Sequence, residues 1–152
     1  MAAIEEAIEI GVPVRTAYNQ WTQFEDFPRF MEGVEEIRQL DDRRLHWVAQ
    51  VAGKRKEWEA EITEQHPDHR IAWRATDGAP NAGVVTFHRI ADDRSRVSVQ
   101  MEYEPEGAAE KAGDLLGVAS RRVRGDLDRF KELVEAQGRE TGAWRGEIEE
   151  PR

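Results

Sequence analysis

No cysteine occurs in the 152 residues, so the chain has no disulfide framework, no thiolate metal site and no cysteine nucleophile. Redox chemistry therefore does not fix its compartment. Positive charge is also scarce: 22 Lys and Arg against 31 Asp and Glu give a net charge of −9. Nucleic acids and anionic membranes need a basic face, and neither is an expected partner. The short basic runs Lys54-Arg55-Lys56 and Arg121-Arg122-Val123-Arg124 sit among acids and are read as solvated faces. No window approaches eighteen apolar residues, and the opening MAAIEEAIEI carries three glutamates where a signal peptide needs a basic then an apolar run. The expectation is a cytoplasmic protein without stable membrane insertion. No GxGxxG, GxxxxGK[ST] or GxSxG is present, and no cofactor is expected.

What the chain does have is one long helical signal. From about Gly107 to Gln137, Ala109, Ala112, Ala119, Ser120, Val123, Leu127, Phe130 and Val134 share a stripe with Leu116 at helical spacing, while the rest of the surface is charged. At about 1.5 Å per residue such a helix would run about 46 Å. It must bury that stripe against another element. Its two halves differ: Ala108, Ala109, Ala112, Gly113 and Gly117 are small, whereas Leu127, Phe130 and Val134 fill space.

The remainder of the chain reads as strands. Residues 3–10 alternate with Ile4, Glu6, Ile8 and Ile10 on one side, and Glu6, the misfit there, suggests an edge strand. Residues 14–31 change to three- and four-residue spacing at Val14, Ala17, Tyr18 and Trp21, with Asp26 a candidate cap before Pro28. This predicts two short helices. From Gly33 to Tyr103, runs at about 33–40, 43–52, 54–65, 69–76, 82–90 and 95–104 alternate between turn residues. Trp58, Ala60 and Ile62 oppose Glu57, Glu59 and Glu61, and the sets Leu45/Trp47/Ala49/Val51, Ile71/Trp73/Ala75 and Val97/Val99/Met101/Tyr103 each share a face. In the sixth strand Val85 and Phe87 are placed inward. A one-faced sheet and a one-striped helix are complementary. The predicted fold is α+β: a curved seven-stranded antiparallel sheet around the C-terminal helix, forming one domain over 1–138. Residues 139–152 are read as a flexible acidic tail. Trp144 is its candidate anchor, on the domain or on a second subunit, so a homodimer is among the partners considered.

This element order resembles the helix-grip fold of the START-like superfamily, the polyketide cyclase/dehydrase and lipid-transport group. Within it, the chain is most similar to small bacterial proteins of the coenzyme Q-binding family. The residues that carry the resemblance are Ile10-Gly11-Val12-Pro13 with Ala17, Tyr18 and Trp21, then Phe27-Pro28-Arg29-Phe30-Met31 followed by Val34. Further on come Trp58, Arg70-Ile71-Ala72-Trp73-Arg74 ending in Asp77-Gly78, and Gly83-Val84-Val85-Thr86-Phe87. The resemblance implies a cavity between sheet and helix that takes lipids, quinones or polyketides, with some members catalysing cyclisation and others only carrying.

In such a cavity the sheet wall would be Trp47, Trp58, Trp73, Phe87, Met101 and Tyr103, and the helix wall Leu116, Ala119, Ser120 and Val123. Access is expected beside Ala112 to Gly117, under Phe27 and Phe30. Trp21, Phe30 and Phe130 are read as core. Inward polar groups are few: Ser120, Arg124 at the stripe margin, Tyr103 and the indole N–H groups orient a carbonyl or hydroxyl, but none is a good base at neutral pH. His46 and His88 fall on outward sides, and His66 and His69 flank a turn without further ligands nearby, so no metal site is expected. The carboxylates alternate away from the apolar faces, and no acid/base dyad is visible. The leading expectation is a carrier or sensor of a small hydrophobic, aromatic or lipid-like molecule. The alternatives are an aromatase/cyclase using Ser120, Arg124 or Tyr103, and a stress or protein-interaction domain that fills its own cavity.

Overall fold

In the computed structural model, residues 2–51, 53–78, 81–103 and 112–149 are described, with 2, 51, 103 and 112–119 described by backbone alone. Strand β1 (Ala2–Ile10) leads into α1 (Val14–Trp21) and a 3-10 helix (Phe24–Arg29). Then come β2 (Val34–Gln39), β3 (Arg44–Val51), β4 (Lys54–His66), β5 (Arg70–Ala75), β6 (Asn81–Ala91) and β7 (Arg94–Tyr103), and finally α2 (Ala112–Gln137). Among the described residues the sheet has seven strands in the order β1-β7-β6-β5-β4-β3-β2, all pairs antiparallel. It curls around α2 as a half-barrel, which is the helix-grip arrangement expected from the alternation. The first strand is indeed an edge.

The core sits where the large residues of α2 meet α1 and the middle of the sheet. Leu127, Phe130 and Val134 are fully buried with Ile10, Tyr18, Phe87 and Val97. Trp21 packs its ring edge-on to Phe130 with centroids 4.9 Å apart and to Phe27 at 5.3 Å, and Phe30 reaches Phe130 at 5.1 Å. Trp21, Phe30 and Phe130 are therefore core, as expected. Phe27 is as deeply buried as they are, so these two phenylalanines belong to the packed interior rather than to a passage. Two local details differ from the sequence expectation. The second short helix begins at Phe24, with Asp26 inside its first turn and Gln23 at the cap position. The start of the long helix at residues 107–111 lies outside the described residues.

The segment expected as a loose tail is tied down. Ile148 is buried and exchanges two backbone hydrogen bonds with Gln65 of β4, at 2.7 and 2.9 Å. Arg145 donates to Asn19 Oδ1 at 2.6 Å and Asp68 Oδ2 at 2.8 Å, with its guanidinium 5.6 Å from the centre of the Tyr18 ring. Glycines and charge hid this, because the partners include the polar residues Asn19 and Gln20 on α1 and Thr22 just after it, all buried and none of them part of an apolar pattern.

Candidate functional site

Strand pairing sets directly opposed residues into rows across the concave face. One row runs Ile4, Met101, Gly83, Trp73, Ile62, and the next Glu6, Val99, Val85, Ile71, Gln65. A third row sets Trp58 opposite Trp47 and Trp47 opposite Ile37. The inward register of Val85 and Phe87 is confirmed by their burial, which turns His88 outward and leaves it exposed. His46 likewise faces away, with Nε2 3.7 Å from Glu57.

The residues singled out from the sequence divide between core and groove. Phe87 is buried against Tyr18, ring edge to ring face at 5.2 Å, so it supports the site from the packed side. Trp47, Trp58, Trp73 and Met101 are only half-buried although all face inward. Trp47 and Trp58 stack with centroids 5.7 Å apart and ring planes 6° from parallel, and Phe27 lies 6.0 Å from Trp47. An aromatic ladder thus leaves the core at Phe27 and ends at Trp58. The Trp47 Nε1–H is buried without a partner, an unpaired donor of a kind that costs about 1–3 kcal/mol. Trp73 lies over Gly83, where an added Cβ would sit 2.6 Å from its Cη2. On the helix, Val123 is half-buried against the core. The side chains of Tyr103, Leu116 and Ala119 lie outside the described residues.

Ser120 is where the sequence expectation is most changed. Its Oγ donates to Glu6 Oε1 at 3.1 Å, joining the helix wall to a carboxylate on the concave face. The pattern of residues 3–10 marked Glu6 as a misfit but gave no partner, because Ser120 is 114 residues away. Continuing the β4 register inward from Trp58 also puts Lys56 on this face, opposite Ala49. Arg124, by contrast, is exposed and 3.9 Å from Asp128. It is turned to solvent and is not a cavity group.

A second set of α2 side chains fixes the rim. Arg122 donates to Glu32 O at 2.7 Å and Gln50 O at 3.3 Å, Asp126 accepts from Glu32 N at 3.1 Å, and Arg129 donates to Phe30 O at 2.8 Å. Burial pushes the Asp126 carboxyl above its ordinary value, against the pull of the Glu32 amide and Arg129. Gly33 permits this clasp. Its φ is +84°, and a Cβ there would overlap Arg122 Nη2 at 1.6 Å. The hollow of about 270 Å³ beside the clasp is lined by Pro28, Arg29, Phe30, Met31, Glu32 and Arg129. Of its polar groups, Glu32 and Arg129 are already engaged in the rim.

Among the described residues, the chemistry available on the concave face is therefore contact with flat apolar surface, the Glu6 carboxylate with its Ser120 hydroxyl, the Trp47 N–H donor and Lys56 toward one end. Relatives agree with this architecture. Residues 10–132 match the family described as polyketide cyclase/dehydrase and lipid transport. The chain is 56% identical over 149 residues to an uncharacterised 17.2 kDa protein of Streptomyces lincolnensis, an alignment covering 97% of this chain and 99% of that one. The Zhui aromatase/cyclase of Streptomyces sp. R1128 superposes with a TM-score of 0.76 at 15% identity, over 94% of this chain and 99% of that one. A START superfamily protein from Mycobacterium smegmatis gives a TM-score of 0.74 at 12% identity, over 87% and 98% of the two chains. Identities this low bear on the fold alone. With the family match running from the end of β1 through most of α2, the chain belongs to the polyketide cyclase/dehydrase and lipid transport family.

Proposed function

We propose that this protein binds a small hydrophobic, ring-bearing or lipid-like molecule between its concave sheet and α2, as a carrier or sensor. The observation that carries this is the contrast along the sheet. Phe87, Val97 and Val85 are buried, whereas Trp58, Trp73 and Met101 face the same way and stay half-buried. Large apolar side chains left short of contacts inside a fold offer a ligand about 25 cal/mol for each Å² it covers, before ordering costs. The small residues of the N-terminal half of α2 are consistent with a thin wall opposite them. The family supplies the class of ligand, and the coenzyme Q-binding likeness makes a quinone one member of it.

The test uses a plain apolar ring. Equilibrium dialysis with 2-methylnaphthalene should show binding to the wild-type protein and weaker binding to Trp73→Ala, with the far-UV circular dichroism of the variant unchanged. No binding to the folded wild type would favour a domain that fills its own interior. An aromatase/cyclase remains the second reading. It is favoured by the Glu6 carboxylate on the concave face, a proton acceptor of the kind cyclisation needs, and disfavoured by the outward Arg124.

A further inference from the structure

Glu6 is out of place by every local rule. Its strand neighbours on the same side, Ile4 and Ile10, are buried, while Glu5 and Glu9 on the other side are exposed. Across β7 it faces Val99, and beyond that Val85. A half-buried carboxylate among such neighbours gives up part of its hydration, and an aliphatic residue would pack there without that cost. An ionised carboxylate offers about four acceptor positions, and Ser120 Oγ fills one of them. The other strand-edge duties of α2 are carried out at and just beyond the end of β1: Lys131 Nζ donates to Glu9 O at 3.1 Å, and Glu135 accepts from the Gly11 amide at 2.7 Å. Glu6 is thus not the sole fastening of α2 to this edge. It stands one row from Met101, Gly83 and Trp73, at the boundary between the packed core and the half-buried aromatic groove.

We propose that Glu6, oriented by Ser120, is the ligand-selecting group of this groove, and that the ligand is an apolar ring-bearing molecule with a hydroxyl donor at the end that meets the Glu6 carboxylate. The assignment rests on the reading of the groove as a ligand site. Ser120 acts through Glu6, holding one oxygen toward the helix so that the second is presented along the sheet. A hydroxyl-bearing ring gains a charge-assisted hydrogen bond there. A ring of the same size without the donor strips water from the carboxylate and returns nothing.

The experiment compares 2-naphthol with 2-methylnaphthalene, nearly equal in size, by equilibrium dialysis against the full chain. The wild type should prefer 2-naphthol by about tenfold or more. The preference should fall to near one in Glu6→Leu and be reduced in Ser120→Ala, each checked for native circular dichroism. Should Glu6→Leu fail to fold, Ser120→Ala still decides, since a reduced preference is expected there. Binding of both rings with no preference, or a preference that survives the variants, overturns the role of Glu6 and leaves the groove standing. Binding of neither ring to the wild type overturns the groove itself and this assignment with it.

Discussion

Trp73 of β5 lies across the space that a side chain on Gly83 of β6 would occupy. A Cβ at Gly83 would come within 2.6 Å of Trp73 Cη2 and 2.7 Å of Gln100 O. The indole is thereby laid along the sheet instead of standing upright into the space below α2, and the glycine shapes the groove as much as the tryptophan does. Gly83→Ala should destabilise the fold by about 1–3 kcal/mol, the usual cost of forcing one extra group into a packed site. Part of the clash is with a backbone oxygen of β7, so moving the ring relieves only part of it. Urea unfolding of Gly83→Ala in wild-type and Trp73→Ala backgrounds separates the two: the cost should shrink, but not vanish, when the indole is gone. Equal cost in both backgrounds would mean that the ring does not lie over residue 83.

Two carboxylates on α2 titrate in opposite senses. Lys131, and after it the Gly11 amide, hold Glu135 below the ordinary glutamate value of 4.5. Its contribution to stability is full above that value and is lost as pH falls through the depressed folded value. Asp126 is raised above 3.8, first by burial. The folded state therefore holds that proton more tightly than the unfolded state, and stability falls as pH rises from 3.8 through the raised value. Melting temperatures between pH 3 and 6 should show wild type losing its advantage over Glu135→Gln on acidification, and gaining relative to Asp126→Asn over the same range. Parallel curves for the two variants would contradict this pair of signs.

How much of this was legible in the sequence follows from the range of each interaction. Alternation along β3, β4, β5 and β7 is a period-2 property of each strand by itself, so the concave face and its aromatics could be listed before any pairing was known. The stripe of α2 is legible for the same reason. What alternation cannot supply is the partner of an exception. Glu6 stood out as a misfit, yet Ser120 is reached only when α2 closes on β1. Phe87 had the right face, but its burial against Tyr18 depends on where α1 docks. The clasp made by Arg122, Asp126 and Arg129 lies on a charged side of α2 that reads as solvated surface, and only its backbone partners, the Phe30 and Glu32 oxygens and the Glu32 amide, reveal its use.

The C-terminal segment is the sharpest case of that limit. A glycine-containing charged stretch without periodicity reads as loose, and if it were, a chain ending at Gly138 would melt like the full protein. The structure gives the segment a different weight. Ile148 is 4% exposed, and Ile148→Ala should cost about 2–4 kcal/mol by the loss of a buried aliphatic side chain. Thr141 receives a hydrogen bond from Gln20 Nε2 at 3.2 Å and donates to Asp26 at 2.7 Å, and the Trp144 amide donates to Thr22 Oγ1 at 3.1 Å. Removing residues 139–152 would open these groups to water together with Tyr18, whose hydroxyl burial holds above its ordinary pKa. The truncated chain should unfold at lower urea, by more than Ile148→Ala alone. Hydrogen exchange supplies a local readout, since the Gln65 amide donates to Ile148 O at 2.7 Å and its protection should drop in the truncated chain even where the rest of β4 stays protected. Unchanged exchange at Gln65 and an unchanged urea midpoint would return the segment to the status of a free tail.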